Sequence, residues 1–203
     1  MPHPSRLLAS ALAGTAAALL VAGCGGESGT PHPKSASPRP APGGRPEITF
    51  PSYAKNVFED TRTADPAVEA VLADSARSID AVDEAIFKGS TSTKALAFYN
   101  TGEALTSSTE YVRAYVDDDD TWIGETRYFD RKAALSGADK AHVTYCSDES
   151  RSFIKNKKTN QIDKVPTTAD SYVLYNATLA KNPKGVWQTT DVESARGHKA
   201  CLP

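Results

Sequence analysis

The 203-residue chain predicts an α+β domain with helices first and an antiparallel sheet afterwards. Three observations carry that prediction. Apolar residues recur every three to four positions between residues 65 and 116, the stripe of an amphipathic helix. From Trp122 onward the period falls to two, and aromatic and β-branched residues become frequent, as in half-buried strands. Turn-forming clusters at Ser136-Gly137, residues 156–160 and Asn182-Pro183-Lys184-Gly185 divide this second half. Helices that precede such a meander pack together on one sheet face.

At the amino terminus, Arg6 is followed by an uncharged run over residues 7–21 that is rich in Leu, Ala and Val. A cation, an apolar run and small residues make a secretory leader. Roughly 15 residues fall short of the roughly 20 needed to cross a bilayer. The ending Val21-Ala22-Gly23-Cys24 resembles the lipobox of bacterial lipoproteins. That resemblance implies a leader (residues 1–23) cut before Cys24, acyl chains on Cys24, and a chain held on the extracytoplasmic face of the cell membrane. Two or three acyl chains anchor stably where one does not.

Residues 25–46 are Pro, Gly and Ser-rich and hold no apolar side chain larger than Ala, so they lack the burial that would offset ordering. A tether of that length reaches about 26 Å as a coil and about 70 Å extended. Ile48, Phe50, Val57 and Phe58 restore bulk and open a body over residues 47–203, the size of one domain. The net charge is −2, and the tether holds Lys34, Arg39 and Arg45 against Glu27, so the body is the acidic part. An acidic body without a basic stripe excludes nucleic acid as partner.

Asp65-Pro66 is an N-cap followed by proline at the first helical position. Val68, Val71, Leu72, Ser75, Ile79, Val82 and Ile86 follow at helical spacing, and Gly89 supplies the stop. A second helical stretch covers residues 94–99 and resumes after Thr101-Gly102, with Ala104, Leu105, Ser108, Tyr111, Val112 and Tyr115 as its stripe. It ends in Asp117, Asp118, Asp119 and Asp120, where the helix dipole disfavours carboxylates. A solvated loop is expected there. Strands are predicted at 123–132, 140–147, 151–155, 171–180 and 186–192. Lys155, Lys157 and Lys158 read as a charged hairpin tip that discourages edge pairing. Cys146 and Cys201 are an even pair in an exported chain, which predicts a disulfide. Closing that loop contributes about 4 kcal/mol in the chain-entropy model.

Further residues resemble a family. Tyr99-Asn100-Thr101-Gly102-Glu103-Ala104-Leu105, Tyr145-Cys146-Ser147-Asp148, Gly185-Val186-Trp187 and the ending Gly197-His198-Lys199-Ala200-Cys201 are similar to motifs of small secreted and lipid-anchored actinobacterial proteins of uncharacterised function. The likeness runs over residues 65–201. The four-aspartate run departs from it, since the relatives carry an ordinary polar turn there. The resemblance implies the NTF2-like, cystatin-like cone, in which helices cover a strongly bent antiparallel sheet.

Within such a cone Tyr145, Tyr172, Tyr175 and Trp187 are candidates to line a ligand cavity, their plainer role being the sheet–helix core. Enzymes of this fold use an Asp or His in the cone as a base, a role that requires an apolar pocket to raise the pKa. Asp148, Asp191 and His142 are the candidates near strands, each more simply explained as solvated. The chain has no Gly-x-Ser-x-Gly elbow, so no serine nucleophile is expected. The aspartate run lacks calcium-loop spacing, and His142 and His198 stand too far apart to be ligands. No catalytic residue, metal or cofactor is therefore expected. The sequence reads as a lipid-anchored, non-enzymatic domain that binds an envelope protein or a small ligand. Two alternatives are an enzyme or carrier that uses the cone, and a structural accessory of an envelope assembly.

Overall fold

A computed structural model describes residues 44–59 and 63–203. The leader, Cys24 and nearly all of the tether lie outside them. The elements run β1 (Ala54–Phe58), α1 (Pro66–Lys88), α2 (Lys94–Tyr99), α3 (Gly102–Asp117), β2 (Asp120–Leu135), β3 (Lys140–Asn156), β4 (Ile162–Asp163), β5 (Tyr172–Lys181) and β6 (Trp187–Arg196). The sheet order is β1-β2-β3-β5-β6, with β4 paired to β3. Three helices lie over one face of this bent sheet, the α+β cone that the resemblance implies.

The start of α1 follows the sequence. Asp65 accepts from the Ala67 amide, Pro66 opens the helix, and Gly89 closes it in a left-handed conformation (φ 61°). The Tyr99–Leu105 motif is a structural knot. Asn100 bridges to Thr189 of β6, and the Thr101 amide donates to the Thr189 carbonyl at 2.9 Å. Gly102 (φ 58°) lets this turn approach β6, because a Cβ there would stand 3.1 Å from the Thr190 carbonyl oxygen.

The sheet is bent by three irregularities, each placing two residues opposite one. Glu149 and Ser150 of β3 face Thr126, Asp130 and Arg131 of β2 face Tyr145, and Thr190 is the extra residue of β6 between Thr189 and Asp191. The first of these explains why residues 140–147 and 151–155 read as two strands although they form one. Its inward face changes from odd positions (Val143, Tyr145) to an even one, Ile154. A single period of two cannot be traced across that shift.

Two further expectations need correction. The meander after Trp122 is antiparallel, but the sheet gains a strand that was not predicted: β1 pairs parallel with β2, Ala54 opposite Gly124. Gly124 (φ 104°) is required there, since a Cβ would lie 2.1 Å from the Arg151 carbonyl oxygen. The aspartate run is also not a free solvated loop. Asp117 ends α3, Asp119 turns the chain at φ 57°, and Asp120 opens β2. The β3–β4 turn meets this run: Asn156 donates to the Asp118 carbonyl and the Asp120 carboxylate, and Lys158 pairs with Asp119. The lysine tip is therefore partly a partner to the aspartates.

At the closed end, Val71, Leu72, Val143, Leu179 and Trp187 form the core between α1 and the sheet. On the opposite side of the sheet, Cys146 and Cys201 are joined by a disulfide, with Cα atoms 5.6 Å apart across 55 residues. It fastens the terminal 3-10 turn Lys199–Cys201 to the sheet. Arg45, counted with the tether in the sequence, is already part of the body. Its guanidinium forms a two-pronged contact with Asp74 of α1, at 2.8 Å to each carboxylate oxygen.

Candidate functional site

The wide end of the cone is an open cavity of about 770 Å³. Helical spacing brings Ser75, Ser78, Ile79, Val82 and Asp83 of α1 to its roof, and Ser108, Tyr111 and Tyr115 of α3 to its flank. The sheet supplies Trp122 and Tyr128 from β2, Tyr145 and Glu149 from β3, Tyr175 from β5 and Thr189 from β6. The segment between β4 and β5 forms part of the rim through Val165, Pro166 and Thr168.

Rings dominate the wall. Tyr145 and Tyr175 stand directly opposite on paired strands and stack at 4.9 Å, nearly parallel. Tyr128 meets Tyr145 edge-on at 6.0 Å, and Tyr111 meets Tyr115 at 5.3 Å. Burial raises the hydroxyl pKa of Tyr115, Tyr128, Tyr145 and Tyr175, while Tyr111 is half exposed at the mouth, and all five are neutral donors and acceptors at physiological pH. The floor is polar: Ser78 donates to Asn100 at 2.8 Å, and Thr189 donates to Ser78 at 2.9 Å.

The chemistry concentrates at Asp83. Trp122 Nε1 donates to one carboxylate oxygen at 3.1 Å and Asn56 Nδ2 to the other at 2.7 Å. Burial pushes the Asp83 carboxyl up to about 7. Asn56 and Trp122 oppose that rise, while Asp80 and Glu149 add to it. Both hydrogen-bond partners are neutral, so nothing there compensates the negative charge. Glu149 differs: Arg196 Nη1 holds its Oε2 at 2.8 Å, and Ser147 donates to its Oε1.

Of the four cavity candidates, the structure brings two together. Tyr145 and Tyr175 line the cavity; Tyr172 and Trp187 do not. Tyr172 and Tyr175 are three apart on one strand, so they point to opposite faces. Trp187 faces inward but fills the closed end, fully buried, with its amide donating to Asp74. The base candidates lie elsewhere. His142 is exposed and near Thr178, and Asp191 is exposed on β6. Burial alone would raise Asp148, but hydrogen bonds from Ser150 and Arg127 outweigh it and hold its carboxyl below the usual range, the reverse of a base. His198 caps the last 3-10 turn through the Ala200 amide.

Asp83 was missed, although a signal existed. It lies four residues after Ile79 and eight after Ser75, on the inward stripe of α1 rather than opposite it. No cluster of His, Cys, Asp or Glu fit to hold a metal occurs among the described residues. No helix among them is long and apolar enough to cross a membrane.

No family model and no curated protein matches the chain. Among solved structures, a ketosteroid isomerase-like protein from Erwinia carotovora aligns with a TM-score of 0.44 and 15% identity, over 65% of this chain and 97% of that one. The intermembrane space region of chloroplast protein ARC6 aligns at 0.38 and 13%, over 68% of this chain and 98% of that one. Likeness at this level transfers no activity. The α+β cone rests on the elements and register described above.

Proposed function

We propose that this domain holds a small organic molecule inside the cone, at a membrane surface to which a lipidated Cys24 tethers it. One observation carries the binding half: an open, aromatic-walled cavity of about 770 Å³ with a few inward polar groups. Sites for drug-sized ligands have that size and make-up. The anchoring half is supported by the leader, Cys24 and the Pro/Gly/Ser tract alone. Binding is preferred over catalysis because Asp83 is met by two neutral donors rather than by a second acid or base.

A library of metabolites screened by thermal shift tests the first half. A ligand should raise the melting temperature of the wild type and not that of Ser194→Trp, which fills the cavity opposite Tyr175. No stabilising compound, or equal effects on both proteins, sinks the reading. For the second half, Cys24→Ala should move the protein from the membrane to the soluble fraction; unchanged partitioning refutes the anchor.

A second reading has its own observation. A carboxyl held near pH 7 inside a cavity is poised to take up and return a proton. An isomerase or dehydratase acting through Asp83 would convert the captured molecule, and chromatography with mass spectrometry after incubation with each hit would show an isomer of unchanged mass at a new retention time, or a product lighter by one water.

A further inference from the structure

The inference rests on the ligand-binding reading and names the ligand class. We propose that the cone is built for an organic cation, an alkylammonium group seated against the Asp83 carboxylate among the rings of Tyr128, Tyr145 and Tyr175.

Three features converge on that class. The first is charge. The titratable side chains lining the cavity are, apart from tyrosines, Asp83, Glu149, Asp163, Asp170 and Arg196. Among the described residues the single cation lining the cavity, Arg196, is already held, by the Glu149 carboxylate at 2.8 Å and the Asp170 carbonyl at 2.6 Å. A bound anion would meet unbalanced carboxylates, whereas a cation would supply the charge that Asp83 lacks.

The second is the wall. Tyrosine faces carry negative quadrupole charge and attract ammonium groups. Five tyrosines line the same cavity as Asp83, and its charge adds to the rise in their hydroxyl pKa. A carboxylate in a cavity walled by tyrosines recognises an alkylated cation better than a hydrated metal ion, which needs several oxygen ligands.

The third is the use of lone pairs. Each Asp83 oxygen accepts one hydrogen bond, from Trp122 or Asn56, and each retains acceptor capacity in a residue that lines the cavity. Those two bonds fix the carboxylate and leave its free side to the ligand.

Protons and cation then compete for one carboxylate. The groups that act on Asp83 are Asp80 from α1, Glu149 from β3, and the donors Asn56 and Trp122, while Asp83 in turn acts on the five tyrosines. Arg77 and Arg131 act on Asp80, and Arg131 also acts on Tyr145. Affinity for the cation should therefore fall as pH drops below about 7.

Benzyltrimethylammonium and its uncharged carbon isostere, neopentylbenzene, have the same shape and differ in charge. At pH 8 the cation should bind about tenfold tighter to the wild-type domain. That advantage should shrink about threefold at pH 5.5 and to the same extent in Asp83→Asn, the remainder being the attraction of the rings. Tyr175→Leu should weaken the cation by about threefold to tenfold and leave the isostere nearly unaffected. The wild-type pH arm stands even if a variant fails to fold. Equal binding of the two probes, or an advantage that ignores pH, overturns the cation class and leaves the ligand-binding reading intact. If neither probe binds, the class also falls, and a blank metabolite screen would then take the broader reading with it.

Discussion

Asp74 and Asp83 sit nine residues apart on the same helix, and they mark opposite ends of the cone. Asp74, at the closed end, is buried against the Arg45 guanidinium and accepts from the Trp187 amide at 2.9 Å. Asp83, at the open end, has two neutral donors and no cation, and burial pushes its carboxyl up to about 7. One carboxylate staples the amino-terminal end of the body and the start of β6 to α1. The other is a charge that the fold leaves uncompensated, a local cost that a ligand can relieve. Natural proteins carry such costs at functional sites.

The comparison can be strained by substitution, beginning with the framework. Replacing Cys146 and Cys201 together by Ser should cost about 4 kcal/mol in urea unfolding, from the freed 55-residue loop. Ligand-probe affinity should not change, because the disulfide lies on the sheet face away from the cavity. A change in affinity would mean that the terminal segment shapes the open end.

Asp74→Ala removes the carboxylate that pairs with Arg45 and accepts from the Trp187 amide, and should cost about 3 kcal/mol at pH 8. A loss under 1 kcal/mol would erase the distinction between the two aspartates. Tether deletions should discriminate in the same way: removal through residue 43 should leave the melting temperature unchanged, whereas removal through residue 45 should lower it.

Asp83→Asn should do the opposite, and only at high pH. The folded-state pKa is raised from an ordinary 3.8 to about 7, so the stability from the neutral acid is complete below about pH 4 and lost as pH rises through 7. At 1.36 kcal/mol per unit the ionised carboxylate burdens the fold by at most about 4 kcal/mol. Asparagine forfeits part of the contacts with Trp122 and Asn56, so a net gain of about 1 to 2 kcal/mol is expected at pH 8. The gain should be absent at pH 5. A pH-independent effect would show that Asp83 is compensated after all. The smallest effect is expected at the surface, where Lys158→Ala removes the exposed pair with Asp119 and should cost under about 0.5 kcal/mol.

Much of the framework was legible because it is local. Asp65-Pro66 and Gly89 bound α1 through hydrogen bonds that span a few residues, and the period of two after Trp122 reported the sheet. Strand parity could also have excluded Tyr172 once Tyr175 was placed inside. The parallel partner β1 was not legible. Its five residues gain their strand conformation from β2, some 70 positions away. Nor was the unity of β3, because one bulge reverses which positions face inward.

The sequence by itself determined the order of the helices and of the long strands after them, and the cysteine pair, since each is written in neighbouring side chains or in simple counting. Only the tertiary structure decided that the cone is open and that its charged group is Asp83. A carboxyl's proton affinity depends on what surrounds it. Here that is Asn56, 27 residues away, and Trp122, 39 residues away, together with rings from four other elements. No window along the chain contains that environment, so no reading of the chain alone could locate it.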